Sequence, residues 1–165
     1  MSYRIVLAKE GFKFSVAHFT IFSADRAERL HGHNYYLTVE LELNESDKSL
    51  GLTLNFNDIK PEILALTESL DERVLVPALS PYLKIQKNLK QISVSFGEKN
   101  YSFPEEDVFL LPVTNITSEE LGRYLTEKLS EKLQKHPHAR RIVSLAIGVE
   151  ETRGQSVFYR TPLVR

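Results

Sequence analysis

Three histidines near the start of the chain have a spacing that could hold a metal ion. The chain has five histidines, and His18, His31 and His33 fall within residues 18–33. His31 and His33 are two residues apart, so on an extended segment their rings point the same way. If the segments ending at His18 and starting near His31 pair as antiparallel strands, the three imidazoles meet at one end of a sheet. Three neutral imidazoles with one open position are a recurrent catalytic zinc arrangement, in which the metal polarises a substrate oxygen or a bound water.

A simpler explanation exists for the same histidines. A histidine on an apolar face is usually a core or rim residue, and a His-x-His pair often arises by chance. The third histidine at the end of the facing segment favours the metal site. The remaining pair, His136 and His138, flanks Pro137 at the end of a predicted helix. We interpret these two as helix-terminal residues matched to the helix dipole, not as ligands.

Four carboxylates are candidates for further chemistry. Glu151 ends an apolar stripe, where a carboxylate costs on the order of several kcal/mol unless it is paired or bound. It either reaches water at a frayed strand end or binds a ligand with two adjacent N–H donors. Glu28, three residues before His31, is positioned as a general acid or base, or is simply a solvated loop residue. Asp71 and Glu72 follow the C-terminal end of a predicted helix, where negative charges are unfavourable because they oppose the helix dipole. This unfavourable placement is a weak indication that the two acids have another role.

Strands and helices with clear periodicity position these residues. Apolar residues alternate over four segments, which predicts strands at 12–19, 33–43, 142–151 and 156–159. One predicted helix follows Asn57 as a plausible N-cap, and its apolar stripe is Ile59, Ile63, Leu66 and Leu70. A second predicted helix starts at Thr117, which forms a capping-box pattern with Glu120.

The order of these elements predicts the fold class. Residues 83–103 look like a β-hairpin turning at Gly97–Asn100, so that 81–111 is interpreted as a hairpin insertion. The order strand–strand–helix–hairpin–helix–strand–strand predicts an α+β fold with antiparallel pairs. We expect a single domain over residues 1–165, because the sequence has no repeat, linker or low-complexity tract.

Composition excludes several classes of function. The net charge is −1, from 21 Lys and Arg against 22 Asp and Glu, so charge does not argue for a nucleic-acid partner or an anionic membrane. The chain has no cysteine, which removes disulfides, thiolate zinc sites and cysteine nucleophiles. No segment reaches the roughly 20 apolar residues of a membrane span, and we expect a cytoplasmic protein.

Several short segments form a recognisable pattern along the chain. They are Phe14-Ser15-Val16-Ala17-His18, Leu30-His31-Gly32-His33-Asn34-Tyr35, Gly51 with Asn55-Phe56-Asn57-Asp58-Ile59-Lys60, Leu70-Asp71, Thr117-Ser118-Glu119 and Glu150-Glu151-Thr152. In order and approximate spacing this pattern resembles the 6-pyruvoyl-tetrahydropterin synthase family, which includes the 6-carboxytetrahydropterin synthases of queuosine biosynthesis. The resemblance covers nearly the whole chain except 81–111.

The resemblance implies a tunnelling fold, with a four-stranded antiparallel sheet and two helices on one face. It implies β-barrel trimers that stack in pairs into a homo-hexamer, with active sites between subunits. It implies Zn²⁺ on His18, His31 and His33. It also implies that Glu151 anchors the amino-pyrimidine edge of a pterin and that Thr117 and Ser118 contact the same ring. The family substrate is 7,8-dihydroneopterin triphosphate.

The sequence departs from the family pattern in its proton-transfer residues. Ala27 stands four residues before His31, where the family usually has its catalytic cysteine, and Asp71-Glu72 stands in place of an Asp-His pair. One branch of the family has a glutamate where Glu28 lies and yields 6-hydroxymethyl-7,8-dihydropterin. A carboxylate has an ordinary pKa of about 4.3, against about 8.5 for cysteine, so a different reaction outcome is physically plausible.

Three functions therefore remain open. The first is a zinc-dependent lyase of the glutamate branch, with Glu28, Asp71 and Glu72 as catalytic candidates. The second is a 6-carboxytetrahydropterin synthase-like enzyme without the cysteine. The third is a pterin- or purine-binding protein that has lost catalysis.

Overall fold

The computed structural model describes residues 2–163, and these form ten strands, two α-helices and three short 3-10 turns. The strands are β1 (Tyr3–Leu7), β2 (Lys13–His18), β3 (His31–Leu43), β4 (Arg73–Pro77), β5 (Lys84–Asn88), β6 (Gln91–Phe96), β7 (Lys99–Pro104), β8 (Val108–Leu111), β9 (Ile142–Thr152) and β10 (Gln155–Pro162). The helices are α1 (Lys60–Leu70) and α2 (Ser118–Leu133). The predicted domain of 1–165 extends three residues beyond this range.

The main sheet has the strand order β10-β9-β3-β2-β4-β8, with β1 also paired to β3. The four predicted strands are β2, β3, β9 and β10, and they pair antiparallel as expected. The prediction of a four-stranded sheet was incomplete, because β1, β4 and β8 bring it to seven strands. Both β2–β4 and β4–β8 are parallel pairs, so the sheet is mixed. The added strands are only four or five residues long, too short to give a clear alternation.

Both helices pack against one face of this sheet and close the main hydrophobic core. The predicted stripe Ile59, Ile63, Leu66 and Leu70 is buried there, as are the core-facing residues of α2 and β9. Thr117 caps α2 as predicted, since its hydroxyl accepts the amide of Glu120 at 3.3 Å. Asn57 does not cap α1. Asn55 instead caps the 3-10 turn at Phe56–Asp58 by accepting the Asn57 amide, and α1 begins after it with Pro61 in its first turn.

Residues 84–104 form a separate three-stranded antiparallel sheet, β5-β6-β7, which we call the small sheet. It has one strand more than the predicted hairpin, and the last part of 81–111 is β8, which belongs to the main sheet. The extra strand is β5, which is largely exposed and therefore lacks an apolar alternation. Ile92, Val94 and Phe96 of the small sheet are buried in a second hydrophobic cluster with Phe19 and Ile21.

No helix within residues 2–163 has the length and apolar character needed to cross a bilayer.

Candidate metal centre and adjoining pocket

The pairing of β2 with β3 brings the three histidines together. His18 lies opposite His31 and Val16 lies opposite His33 in this antiparallel register, so all three rings project from the same end of the two strands. One ligand atom from each ring falls within 4.8 Å of the others. The Nε2 atoms of His31 and His33 are 2.8 Å apart. The predicted convergence of these rings is therefore confirmed.

The chemistry of this cluster fits a divalent metal ion. The Nδ1–H of His31 donates to the carbonyl of Arg29 at 2.7 Å, so the lone pair of its Nε2 faces the cluster. Burial lowers the pKa of His18 to about 4, with the neighbouring His31 adding to the effect, so this imidazole is neutral at pH 7. Its Nδ1 is buried without a hydrogen-bond partner in residues 2–163. Three imidazoles with converging ring nitrogens, the most buried of them neutral, are what a metal-binding histidine site offers before its ion is added.

Glu151 lies beside the histidines and is held by Tyr35. The hydroxyl of Tyr35 donates to Oε1 of Glu151 at 2.8 Å and lies 3.1 Å from Nε2 of His18. The same carboxylate oxygen is 3.5 Å from Nε2 of His18 and 3.4 Å from Nε2 of His33. Burial and the hydrogen bond to Glu151 raise the pKa of Tyr35, so its hydroxyl stays protonated and remains a donor. Glu151 is thus fixed by a hydrogen bond and is not a frayed strand end.

Glu28 lies on the other side of His31. Its Oε2 is 3.9 Å from Nε2 of His31 and accepts the amide of Thr20 at 3.0 Å. Partial burial alone would raise the pKa of Glu28. Hydrogen bonds from Thr20 and the nearby His31 and His18 outweigh burial, so the pKa lies below its usual value. Glu28 is therefore ionised at neutral pH and can accept a proton.

A pocket of about 400 Å³ joins the two carboxylates. Glu28 and Glu151 line it together with Thr117 and Ser118 at the start of α2. Phe22 forms part of its wall, and the guanidinium of Arg26 lies 4.8 Å from the centre of that ring. Four residues predicted from separate parts of the sequence thus share one cavity that is large enough for a small heterocycle.

Asp71 and Glu72 do not line this pocket. Oδ1 of Asp71 accepts the amide of Ser15 at 2.6 Å, and the amide of Glu72 donates to the Ser15 carbonyl at 2.7 Å. Glu72 has a left-handed backbone, with φ of 56°, and lines a second hollow of about 390 Å³ with Asn34, Arg73 and Asp107. Gly32 and His33 also line that hollow. Within one chain, Glu72 therefore faces a different hollow from Glu28, and Asp71 is bonded to the main chain of β2.

Sequence reasoning missed two kinds of residue at the site. Tyr35 shares the face of His33 and belongs to the same motif, so the alternation that selected the histidines could also have selected it. Thr20 and Asn115 hold the Glu28 loop from positions with no periodic signal. Asn115 accepts the Ile21 amide at 3.0 Å and donates to the Ile21 carbonyl at 2.8 Å, across 94 residues of sequence.

The fold and the site together define a small α+β protein with a three-histidine centre beside an acid-lined pocket. The family described as "6-pyruvoyl tetrahydropterin synthase" matches residues 7–162. The chain therefore belongs to the 6-pyruvoyl tetrahydropterin synthase family, and it is an enzyme of that pterin-synthase type.

Individual relatives agree with this membership. A Methanocaldococcus jannaschii protein, provisionally named as a 6-carboxy-5,6,7,8-tetrahydropterin synthase, is 29% identical over 150 residues, covering 91% of this chain and 90% of the relative. The 6-pyruvoyl tetrahydropterin synthase structure from Plasmodium vivax has a TM-score of 0.91 and 25% identity, covering 98% of this chain and 99% of that one. The Plasmodium falciparum structure has a TM-score of 0.88 and 27% identity, covering 98% of both chains.

Proposed function

We propose that this protein is a zinc-dependent pterin lyase that cleaves the side chain of 7,8-dihydroneopterin triphosphate and yields 6-hydroxymethyl-7,8-dihydropterin. The observation that carries the proposal is the position of one ionised carboxylate, Glu28, beside the three-histidine cluster and in the same pocket as Glu151. No thiol competes for this role, because the chain has no cysteine.

Glu151 and the start of α2 bind the pterin ring in this proposal. The carboxylate of Glu151 accepts two adjacent N–H groups of the amino-pyrimidine edge, and Thr117 and Ser118 contact the same ring. Tyr35 keeps Glu151 in place through its hydrogen bond to Oε1. The carboxylate is half-buried, so the charge-assisted hydrogen bonds that it accepts are stronger than they would be in open water.

His18, His31 and His33 would hold Zn²⁺, which as a Lewis acid would make the side-chain hydroxyls of the substrate more acidic. Glu28 accepts the proton of the 2′-hydroxyl as the C1′–C2′ bond breaks, so that C2′ leaves as the aldehyde of the fragment that carries the triphosphate and the electron pair stays on C1′. Glu28 then returns the proton to C1′ of the pterin fragment, so that the same carboxylate acts as base and acid. The Thr20 amide holds Oε2 of Glu28 in the required orientation through both steps.

Asp71 and Glu72 act across a subunit boundary in this proposal. Glu72, which follows Asp71 in the chain, faces a hollow that shares His33 with the centre and that Glu28 does not line. In a homo-hexamer of two stacked trimers, that hollow and the Glu28 pocket of a neighbouring copy form one site, to which the two acids contribute. The protein works in the cytoplasm and needs neither nucleic acid nor membrane.

A second candidate reaction is favoured by the curated relatives. Three archaeal proteins that match this chain are provisionally named 6-carboxy-5,6,7,8-tetrahydropterin synthases. That enzyme would use the same pterin substrate, so product identity separates the two reactions.

The test is incubation of the zinc-loaded protein with 7,8-dihydroneopterin triphosphate, followed by chromatography of the pterins. We expect 6-hydroxymethyl-7,8-dihydropterin from the wild-type protein. Glu28→Gln should lower kcat by about 10² to 10⁴, the usual contribution of a general acid or base, while retaining its zinc. Glu68→Gln, on the exposed side of α1, is the matched control and should keep full activity.

Two results would contradict the proposal. A 6-carboxy product from the wild-type protein would favour the second candidate. Tight pterin binding without turnover, under conditions in which a family enzyme is active, would favour the third function, a binding protein that has lost catalysis.

A further inference from the structure

We infer that the small sheet positions the loop that carries Glu28, and that Lys99 at the start of β7 is its positioning residue. This inference rests on the proposed role of Glu28. It assigns a function to a part of the chain, β5–β7, that contributes no residue to the Glu28 pocket among those described.

The first observation is a direct contact between Lys99 and the main chain beside Glu28. Nζ of Lys99 lies 3.3 Å from the carbonyl of Ala27 and 3.2 Å from the carbonyl of Glu28, and it donates to both. Lys99 follows the Gly97 turn, whose φ of 55° lets β6 reverse tightly into β7. One ammonium group therefore joins the small sheet to two successive peptide groups of the loop, across about 70 residues of sequence.

The second observation is an apolar contact between the same two parts of the chain. The loop residues Phe19 and Ile21 are buried in one cluster with Ile92, Val94 and Phe96, and Ala27 and Leu30 pack against it. The rings of Phe19 and Tyr101 stack with centroids 5.6 Å apart. The small sheet thus supports the loop before and after Glu28, and Lys99 holds it at Glu28 itself.

The main chain that Lys99 contacts also controls the direction of the Glu28 carboxylate. The amide of Glu28 donates to the Thr20 carbonyl at 2.9 Å, and its Oε2 accepts the Thr20 amide. A rotation of the peptide groups at 27 and 28 would break this reciprocal pair and move the carboxylate away from His31. A displacement of about 1 Å in a reacting group can lower a rate by roughly 100-fold, so a small loosening of the loop is enough to affect turnover.

The test compares three variants, Lys99→Met, Lys99→Arg and Lys87→Met. Lys99→Met keeps the length of the side chain and removes its donors, whereas Lys99→Arg restores them. Lys87→Met is the matched control, because Lys87 pairs with Glu105 next to the small sheet and not with the loop. Hydrogen exchange of the amides in 19–30 is measured alongside kcat and KM.

We expect Lys99→Met to lower kcat about tenfold with KM within about twofold of wild type, since the carboxylate is misplaced but the pterin pocket is intact. Exchange in 19–30 should become several-fold faster while exchange in α1 and α2 stays unchanged. Lys99→Arg should recover both readouts, and Lys87→Met should resemble the wild type.

Two results would overturn the inference. Unchanged exchange in 19–30 would show that Lys99 does not hold the loop. A higher KM with unchanged kcat would mean that the ammonium group binds an anionic part of the substrate. If the wild-type protein does not turn over the pterin, the proposed function fails, and the exchange measurement alone then decides whether the small sheet holds this loop.

Discussion

Glu28 lies 3.9 Å from His31 of the three-histidine cluster, yet the chain positions the histidines and Glu28 by different means. The histidines are on β2 and β3, where the backbone register alone fixes which residues face each other. Glu28 is on a loop held by side chains and main chain from distant segments, including Lys99 and Asn115. The first arrangement is as rigid as the sheet, and the second is as rigid as the contacts that its distant partners supply.

This difference separates two properties of the site. Metal binding should depend on the strands and be insensitive to changes around the loop. Proton transfer should depend on both. Variants of the strands and variants of the loop therefore test whether metal binding and proton transfer can be lost independently.

The largest effect is expected on the strand side, from His18→Ala. Loss of one of three imidazoles should release the metal and lower kcat/KM by at least about 100-fold, because even the loss of an outer partner of a ligand costs 10–100-fold. The measurements are zinc content by mass spectrometry and pterin turnover. His138→Ala is the control and should keep both, since His138 lies beyond α2 near His136. Equal zinc in His18→Ala and wild type would refute the role of His18.

A second effect on the strand side is a loss of stability in acid for the metal-free protein. The pKa of His18 falls from 6.5 to about 4 on folding, mainly through burial. Below pH 6.5 the unfolded chain therefore takes up a proton that the folded chain takes up only near pH 4. The free energy of unfolding is therefore unaffected by His18 above pH 6.5. It decreases as the pH falls below that value, by about 2 kcal/mol between pH 7 and 5.

Urea unfolding of EDTA-treated protein at pH 7 and pH 5 measures this loss. His18→Gln removes the titrating group and should show a smaller difference between the two pH values. The same difference in wild type and His18→Gln would assign the acid sensitivity to other residues.

The smallest effect is expected on the loop side, from Asn115→Ala. This change removes the hydrogen bonds to both main-chain groups of Ile21, which cost about 1–3 kcal/mol when left unpaired and buried. We expect kcat to fall about tenfold through displacement of Glu28, with the zinc content unchanged. Asn88→Ala, at the exposed end of β5, is the control. A loss of zinc in Asn115→Ala would show that the loop and the strands are not independent.

The same difference explains how much of the site the sequence could predict. His18, His31, His33 and Glu151 lie on strands with a period of two, so each ring and carboxylate has a face that can be read from its neighbours. Thr117 was predictable because a capping box is local. The distant partners of the Glu28 loop were not, because Asn115 and Lys99 are 94 and about 70 residues away from the groups they contact.

The elements of the fold also divide into those that the sequence predicted and those that it did not. The four long antiparallel strands and both helices were predicted from periodicity, because each has enough residues to show it. The short parallel strands β4 and β8 and the exposed β5 were missed. Their existence depends on pairing with distant strands, which a single sequence does not reveal.

The metal ion proposed at His18, His31 and His33 can be observed directly. Crystals of protein purified with zinc and without a polyhistidine tag should be measured on both sides of the zinc absorption edge. We expect one anomalous peak per chain, about 2.0–2.1 Å from a ring nitrogen of each of the three histidines. No peak between these rings, or a peak at His136 and His138 instead, would contradict the claim.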